Sequence, residues 1–266
     1  MKKNIKIFNF IESRFLNRLL PLFAPLIVFI LLEIFFFFPK TIYVILILVN
    51  FVIFFTLWQI AKASNIDKRW WNFLILPVIM SSAIIVYSIF LKNKIFIQLF
   101  FITDIILLYF YLQYIYYYLL NPAIYKIFSI ENISFYSNFF AFFLFSVVIY
   151  GLQSFLNTPI WLLELAILVI SILMVYQITW ANKIDFNKSM PYIFICCLVL
   201  VELSWSIFFL PFNYNIAGFI LAIFYYILVG LVKDHLLDGL DKKTVKTYLG
   251  LGLISLFLIL LTAQWI

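Results

Sequence analysis

Four carboxylates stand inside apolar runs of the chain: Glu33, Asp104, Glu164 and Glu202. An acid in hydrocarbon costs at least ~2.5 kcal/mol on insertion scales, so such residues mark ion or proton paths, ligand sites or interhelical hydrogen bonds. Spacing extends two of them into polar stripes. Asp104, Tyr111 and Tyr118 recur every seven residues and share one helix face. Glu202 has Trp205 and Ser206 at i+3 and i+4, again on one face. No Lys or Arg stands at the same depth, so each acid is expected to carry its proton. Two chemistries fit: a cation or proton site built from several of these acids, or four separate neutral acids, each hydrogen-bonded to a neighbouring helix.

A second acidic group is Asp234, Asp238 and Asp241, spaced i, i+4, i+7 beside His235. Asp234 and Asp238, one turn apart, are a candidate pair for a divalent cation carrying a phosphate. The alternative is a solvated helix end, with Gly239 as terminator and Lys242-Lys243 neutralising it. His235 is the only histidine, which excludes a His-based zinc cluster. Cys196 and Cys197 are adjacent in an apolar run and read as small apolar filler. Glycine-rich phosphate loops, nucleophile elbows and Cys-x-x-Cys are absent from the sequence.

The elements that position these groups follow from composition. Of 266 residues, 67% are hydrophobic and only 11% charged, and mean hydropathy is +1.16. A single soluble core cannot hold such an excess, which excludes a soluble enzyme, a secreted disulfide scaffold and a disordered chain. The pattern predicts an all-α, polytopic membrane protein with nine spans, at roughly 19–38, 41–61, 71–91, 95–119, 133–156, 159–180, 190–210, 214–233 and 245–265. Each is long enough to cross ~30 Å of hydrocarbon at 1.5 Å per residue. Breakers fall between them: Pro39-Lys40, Asn121-Pro122, Asn157-Thr158-Pro159, Pro211-Phe212-Asn213 and Asp238-Gly239.

Basic residues set the orientation. With the N-terminus inside, fifteen Lys and Arg fall on inner segments and three, Lys40, Lys92 and Lys94, on outer ones. The net charge of +7 is therefore a topology signal, not a nucleic-acid surface. The expected location is the plasma (inner) membrane, N-terminus cytoplasmic and C-terminus external. Trp58, Trp70, Trp71 and Trp180 sit at inner span ends, and Trp161 and Trp265 at outer ones, as interface anchors. Residues 1–18 alternate Ile5, Phe8, Ile11, Phe15 with Lys3, Lys6, Arg14 and Arg18. That predicts an amphipathic interfacial helix leading into one transmembrane domain, 19–266.

One internal similarity stands out. Residues 58–67 and 176–185 coincide, at an offset of 118, in Gln59/Gln177, Ile60/Ile178, Ala63/Ala181, Ile66/Ile184 and Asp67/Asp185. The offset preserves direction and maps spans two to five onto six to nine, a candidate four-helix parallel repeat. Nine helices with paired polar motifs after spans two and six resemble the UbiA-type intramembrane prenyltransferases. Their motif Asn-Asp-x-x-Asp-x-x-x-Asp falls here on Gln59, Ile60, Ala63 and Asp67. Their Tyr-Asp-x-x-Tyr-Ala-x-x-Asp falls on Tyr176, Gln177, Trp180, Ala181 and Ile184, with Asp185 one place on and then Lys188-Ser189.

The resemblance implies a lipid-accessible cavity that accepts an isoprenoid, with Mg²⁺ held by Asp67 and Asp185. Gln59, Asp67, Lys68, Arg69, Gln177, Lys183, Asp185 and Lys188 would then stand around an inner mouth. The departures weaken the metal site, because Ile60, Ala63 and Ile184 cannot ligate Mg²⁺ and the glutamines bring no charge. The leading expectation is a UbiA-like isoprenoid- or lipid-handling membrane protein with a degraded Mg-diphosphate site, with membrane lipid as its partner. A proton- or cation-coupled transporter using the intramembrane acids, and a non-catalytic subunit of a complex, remain as alternatives.

Overall fold

The computed structural model describes the backbone of residues 2–64, 70–127 and 129–262, with side chains from residue 18 to 261 within those ranges. Asp67, Lys68, Arg69 and Trp265, and the side chains of residues 1–17, lie outside the described residues. The described elements are helical: α1 (Lys2–Phe37), α2 (Ile42–Ala63), α3 (Asn72–Phe90), α4 (Lys94–Leu120), α5 (Ser129–Leu156), α6 (Ile160–Ala181), α7 (Phe186–Phe208), α8 (Tyr214–Leu236) and α9 (Lys242–Thr262), with a 3₁₀ turn at Pro39–Thr41. Nine spans among the described residues are long and apolar enough to cross a membrane, the first of them Arg18–Phe37. α1 runs unbroken from Lys2, so the segment expected to lie on the surface continues directly into that span.

The breaks fall where local chemistry demands them. Phe38 to Thr41 turns on Pro39, and Thr41 Oγ1 donates to the Phe38 carbonyl. Asn93 and Asn213 cap α4 and α8, their side chains accepting from the amides of Ile95 and Asn215. α8 ends just before Gly239, whose amide closes back onto the Asp234 carbonyl, and the left-handed residue at that end is Asp238 (φ 56°). Aspartate tolerates that conformation better than most side chains, so glycine at the next position is not needed for it. α6 ends the same way with Lys183 (φ 58°) and the Ile184 amide on the Thr179 carbonyl.

The chain forms two compact units, Met1–Ser134 and Phe135–Ile266. In the first, α1 packs on α2 and α4, and α3 packs on the same two helices. Buried stripes at helical spacing make the contacts: Val28, Leu32 and Phe35 on α1, Val49, Ile53 and Leu57 on α2, Leu108, Leu112 and Ile115 on α4. In the second unit α6, α7, α8 and α9 pack in sequence. α5 joins them through the Phe142 ring stacked on Tyr225 at 4.0 Å and through Gly218, where a Cβ would lie 2.5–2.7 Å from Val147. Lipid supplies no hydrophobic drive between helices, so close backbone approach and hydrogen bonds carry the association.

The offset of 118 carries α2 onto α6 end for end, and the last residue of α3, Phe90, onto the last of α7, Phe208. It also carries Phe37, which ends α1, onto Phe155, one residue before the end of α5. The helix boundaries therefore pair α1–α4 with α5–α8, leaving α9 over.

Candidate functional site

In the first unit, α4 holds Asp104 fully buried against α3. Ser81 Oγ donates to Asp104 Oδ1 at 3.1 Å, and Oδ2 has no partner among the described residues. Two turns along α4, the Tyr111 hydroxyl donates to the Phe73 carbonyl at 3.1 Å. The reason lies in α3. Pro77 stands four residues after Phe73 and has no N–H to give that carbonyl, so a tyrosine from the next helix supplies the donor. Tyr118, the third member of the stripe, is exposed and packs edge-on against Phe73 and Tyr125. The stripe thus ties α4 to α3 at three levels. Glu33, half-buried on α1, accepts from Gln98 Nε2 of α4 at 3.2 Å.

The second unit holds the more elaborate arrangement. Glu164, the fifth residue of α6, is buried. Ser204 Oγ of α7 donates to its Oε1 at 2.9 Å, while Oε2 has no partner among the described residues. Tyr150 of α5 points its hydroxyl at the same serine, 3.3 Å from both its Oγ and its carbonyl oxygen. Tyr150 is also in the wall of a cleft of about 30 Å³ between the end of α5 and the α7–α8 connection. Gln153, Ser154, Phe208, Phe212 and Tyr214 complete most of its lining. No Lys, Arg or His among the described residues pairs with Asp104 or Glu164.

The remaining expected residues are placed apart from these acids. Glu202, on α7, is exposed, and Ser206 donates to its backbone carbonyl. Trp205 beside it is 49% exposed, so that face points out of the unit. Gln177 is fully buried and its Oε1 accepts from Asn138 Nδ2 of α5. Lys183, Asp185 and Lys188 are exposed at the α6–α7 connection, and Gln59 is half-buried near the end of α2. Asp234 pairs with its neighbour Lys233 at 3.3 Å and with the Tyr248 hydroxyl, whereas Asp238 is exposed. Among the described residues no group of three or more His, Cys, Asp or Glu side chains could hold a metal.

Among the described residues outside the spans, Tyr125 and Asp241 have displaced pKa values. Burial, aided by the nearby Glu131 carboxylate, pushes the Tyr125 hydroxyl up to about 12. Thr244 donates to Asp241 from both its side chain and its amide, the latter at 2.6 Å, and holds that carboxyl below its usual value at the start of α9.

The partners Ser81, Ser204, Tyr150 and Gln98 were not singled out by sequence reasoning. Serine and tyrosine are too common in these spans for type alone to select them. Their role depends on which neighbouring helix presents an acid.

No curated protein matches the chain, and no solved structure matches it. Residues 23–262 match the family described as a protein of unknown function (DUF5656). An all-helical, membrane-embedded chain covered by that family over nearly its whole length belongs to the DUF5656 family.

Proposed function

We propose that the protein is a proton- or cation-coupled transporter whose intramembrane carboxyls bind the coupling ion. The observation that carries this reading is Glu164: buried, held on one oxygen by Ser204, open on the other, and adjacent through Tyr150 to a cleft. Asp104 repeats the same chemistry in the other unit, with Ser81 on one oxygen. An acid serving only to glue helices is best satisfied on both oxygens. One left with an unused oxygen in hydrocarbon is costly unless it changes partner or proton during a working cycle. The basic residues, fifteen against three, support a plasma-membrane chain with its N-terminus inside, which makes the cleft external.

Proteoliposomes holding a pH-sensitive dye, challenged with monovalent cations, small amines and small organic acids, test the proposal. A proton signal linked to one of these solutes is expected, lost in both Glu164→Gln and Asp104→Asn. Silence across the panel, or a signal indifferent to both substitutions, overturns it.

A second reading, a UbiA-like lipid- or isoprenoid-handling protein with a weakened Mg²⁺ site, draws on the matched boundaries of α2 and α6. In that register Gln59 and Gln177 are equivalent, but Gln177 is engaged with Asn138 inside the second unit. A raised melting temperature with prenyl diphosphate plus Mg²⁺ supports this reading; no shift with any isoprenoid removes it.

A further inference from the structure

Two hydrogen bonds run from Tyr150, a residue of the cleft wall, to the buried acid of the second unit, and their donors point the same way. Tyr150 contributes both to the cleft wall and to the first hydrogen bond, onto Ser204 Oγ at 3.3 Å. Ser204 Oγ in turn donates to Glu164 Oε1 at 2.9 Å. Each hydroxyl has one proton to give and lone pairs to receive another. Tyr150 and Ser204 are nearly inaccessible, at 3% and 0% exposure, so the path is shielded along its length.

We propose that Tyr150 and Ser204 form a proton wire from the cleft to Glu164, and that the ion taken up there is the proton and not a metal cation. This deepens the transporter reading by naming its coupling ion, and it rests on that reading. The transfer balances. A hydronium in the cleft gives a proton to the Tyr150 oxygen, forming a new O–H bond. Tyr150 passes its own proton to Ser204 Oγ, and Ser204 passes its proton to the Glu164 carboxylate. Both hydroxyls end with one proton each, Glu164 ends as a carboxylic acid, and water remains in the cleft.

Two features favour the proton. The cleft, about 30 Å³, holds one or two waters, whereas organic ligands occupy roughly 300 Å³ or more. A hard metal cation takes about six oxygen ligands, but among the described residues the hydrogen-bonding partner of Glu164 is a single serine hydroxyl that points its proton at the acid. Among the described residues, the titratable groups facing this path are Tyr150 on α5 and, across the cleft, Tyr214 on α8. α7 offers Ser204, while its own acid, Glu202, points outward.

The test uses the full chain reconstituted in lipid and read by infrared difference spectroscopy. Glu164→Gln assigns the Glu164 carboxyl band, and a switch to D₂O buffer then times its proton exchange. Tyr150→Phe is expected to slow exchange about tenfold or more, the kinetic equivalent of one hydrogen bond removed from the path, while the band keeps its position. Ser154→Phe adds a ring at the exposed rim of the cleft, giving up the Ser154 hydroxyl's bond to the Tyr150 backbone carbonyl while leaving the Tyr150 and Ser204 hydroxyls in place, and is expected to slow exchange as well. Exchange at the wild-type rate in both variants overturns the wire. A Glu164 band that shifts with Na⁺ at constant pH overturns the proton and leaves a cation-coupled transporter. If no band belongs to Glu164 at any pH, the transporter reading itself fails.

Discussion

Ser204→Ala removes one hydroxyl from the centre of the second unit, and its cost is expected to depend on Glu164. The serine donates to Glu164 Oε1 at 2.9 Å and receives the Tyr150 hydroxyl at 3.3 Å. The second bond has a substitute, because the Ser204 carbonyl is equally close to Tyr150. The first has none among the described residues: with Oε2 already without a partner, the variant leaves the whole carboxyl unsatisfied. Interhelical hydrogen bonds in membranes average ~0.6 kcal/mol with a maximum near ~1.7, and a buried polar group left bare costs about 1–3 kcal/mol. The substitution should therefore cost about 1–2 kcal/mol in the wild-type chain.

In a Glu164→Leu background the acid is gone and the same substitution should cost a few tenths of a kcal/mol, a coupling of about 1 kcal/mol. The chain supplies its own reporter. Cys196 and Cys197 are free, buried and on α7, the helix that carries Ser204. A thiol-reactive dye therefore times the release of α7 during denaturant unfolding. Equal costs in the two backgrounds, within about 0.3 kcal/mol, would refute the claim that Ser204 serves the acid.

Other consequences are open to test by the same unfolding measurement. Tyr111→Phe should cost about 0.6–1.5 kcal/mol, and almost nothing when combined with Pro77→Ala, which restores an amide for the Phe73 carbonyl; full additivity would contradict the assignment. Gly218→Ala should cost about 1–3 kcal/mol, because its Cβ meets the Val147 backbone at 2.6–2.7 Å and two helices must part; a neutral effect would mean that α5 and α8 do not approach so closely. Asp241 is held below its ordinary value by Thr244, so its stabilisation is present above the unfolded pKa, 3.8, and is lost as pH falls through the lower folded value. The stability difference between wild type and Asp241→Asn should shrink accordingly in acid, and a difference unchanged there would show that the Thr244 bonds do not favour the charged form.

Much of the fold could be read along the chain. Hydropathy sums over neighbours in sequence, so some twenty apolar residues define a span whatever packs beside it. Asn, Pro and charge mark where spans stop: the breaks at Pro39, Asn121, Asn157 and Pro211 all fall between helices. Finer choices at helix ends were less legible. Asp238, not Gly239, took the left-handed position, since either residue can do so and the closing hydrogen bond selects between them.

The site was legible only as a set of candidates. Sequence put Asp104, Glu164 and Glu202 inside apolar runs, and each proved to be within a helix. It could not distinguish them, because these spans are apolar around most of their circumference and no polar face fixes their rotation. Each residue turns a helix by about 100°, so a small rotation decides whether an acid meets a neighbour or lipid. Packing against α3 turned Asp104 inward, and packing against α7 did the same for Glu164. Glu202, on that same α7, was turned outward. What the sequence determined was the solvent and the number of crossings. Which acids are shielded, and which hydroxyls serve them, was decided by helix rotation, a property of neighbours far apart in the chain.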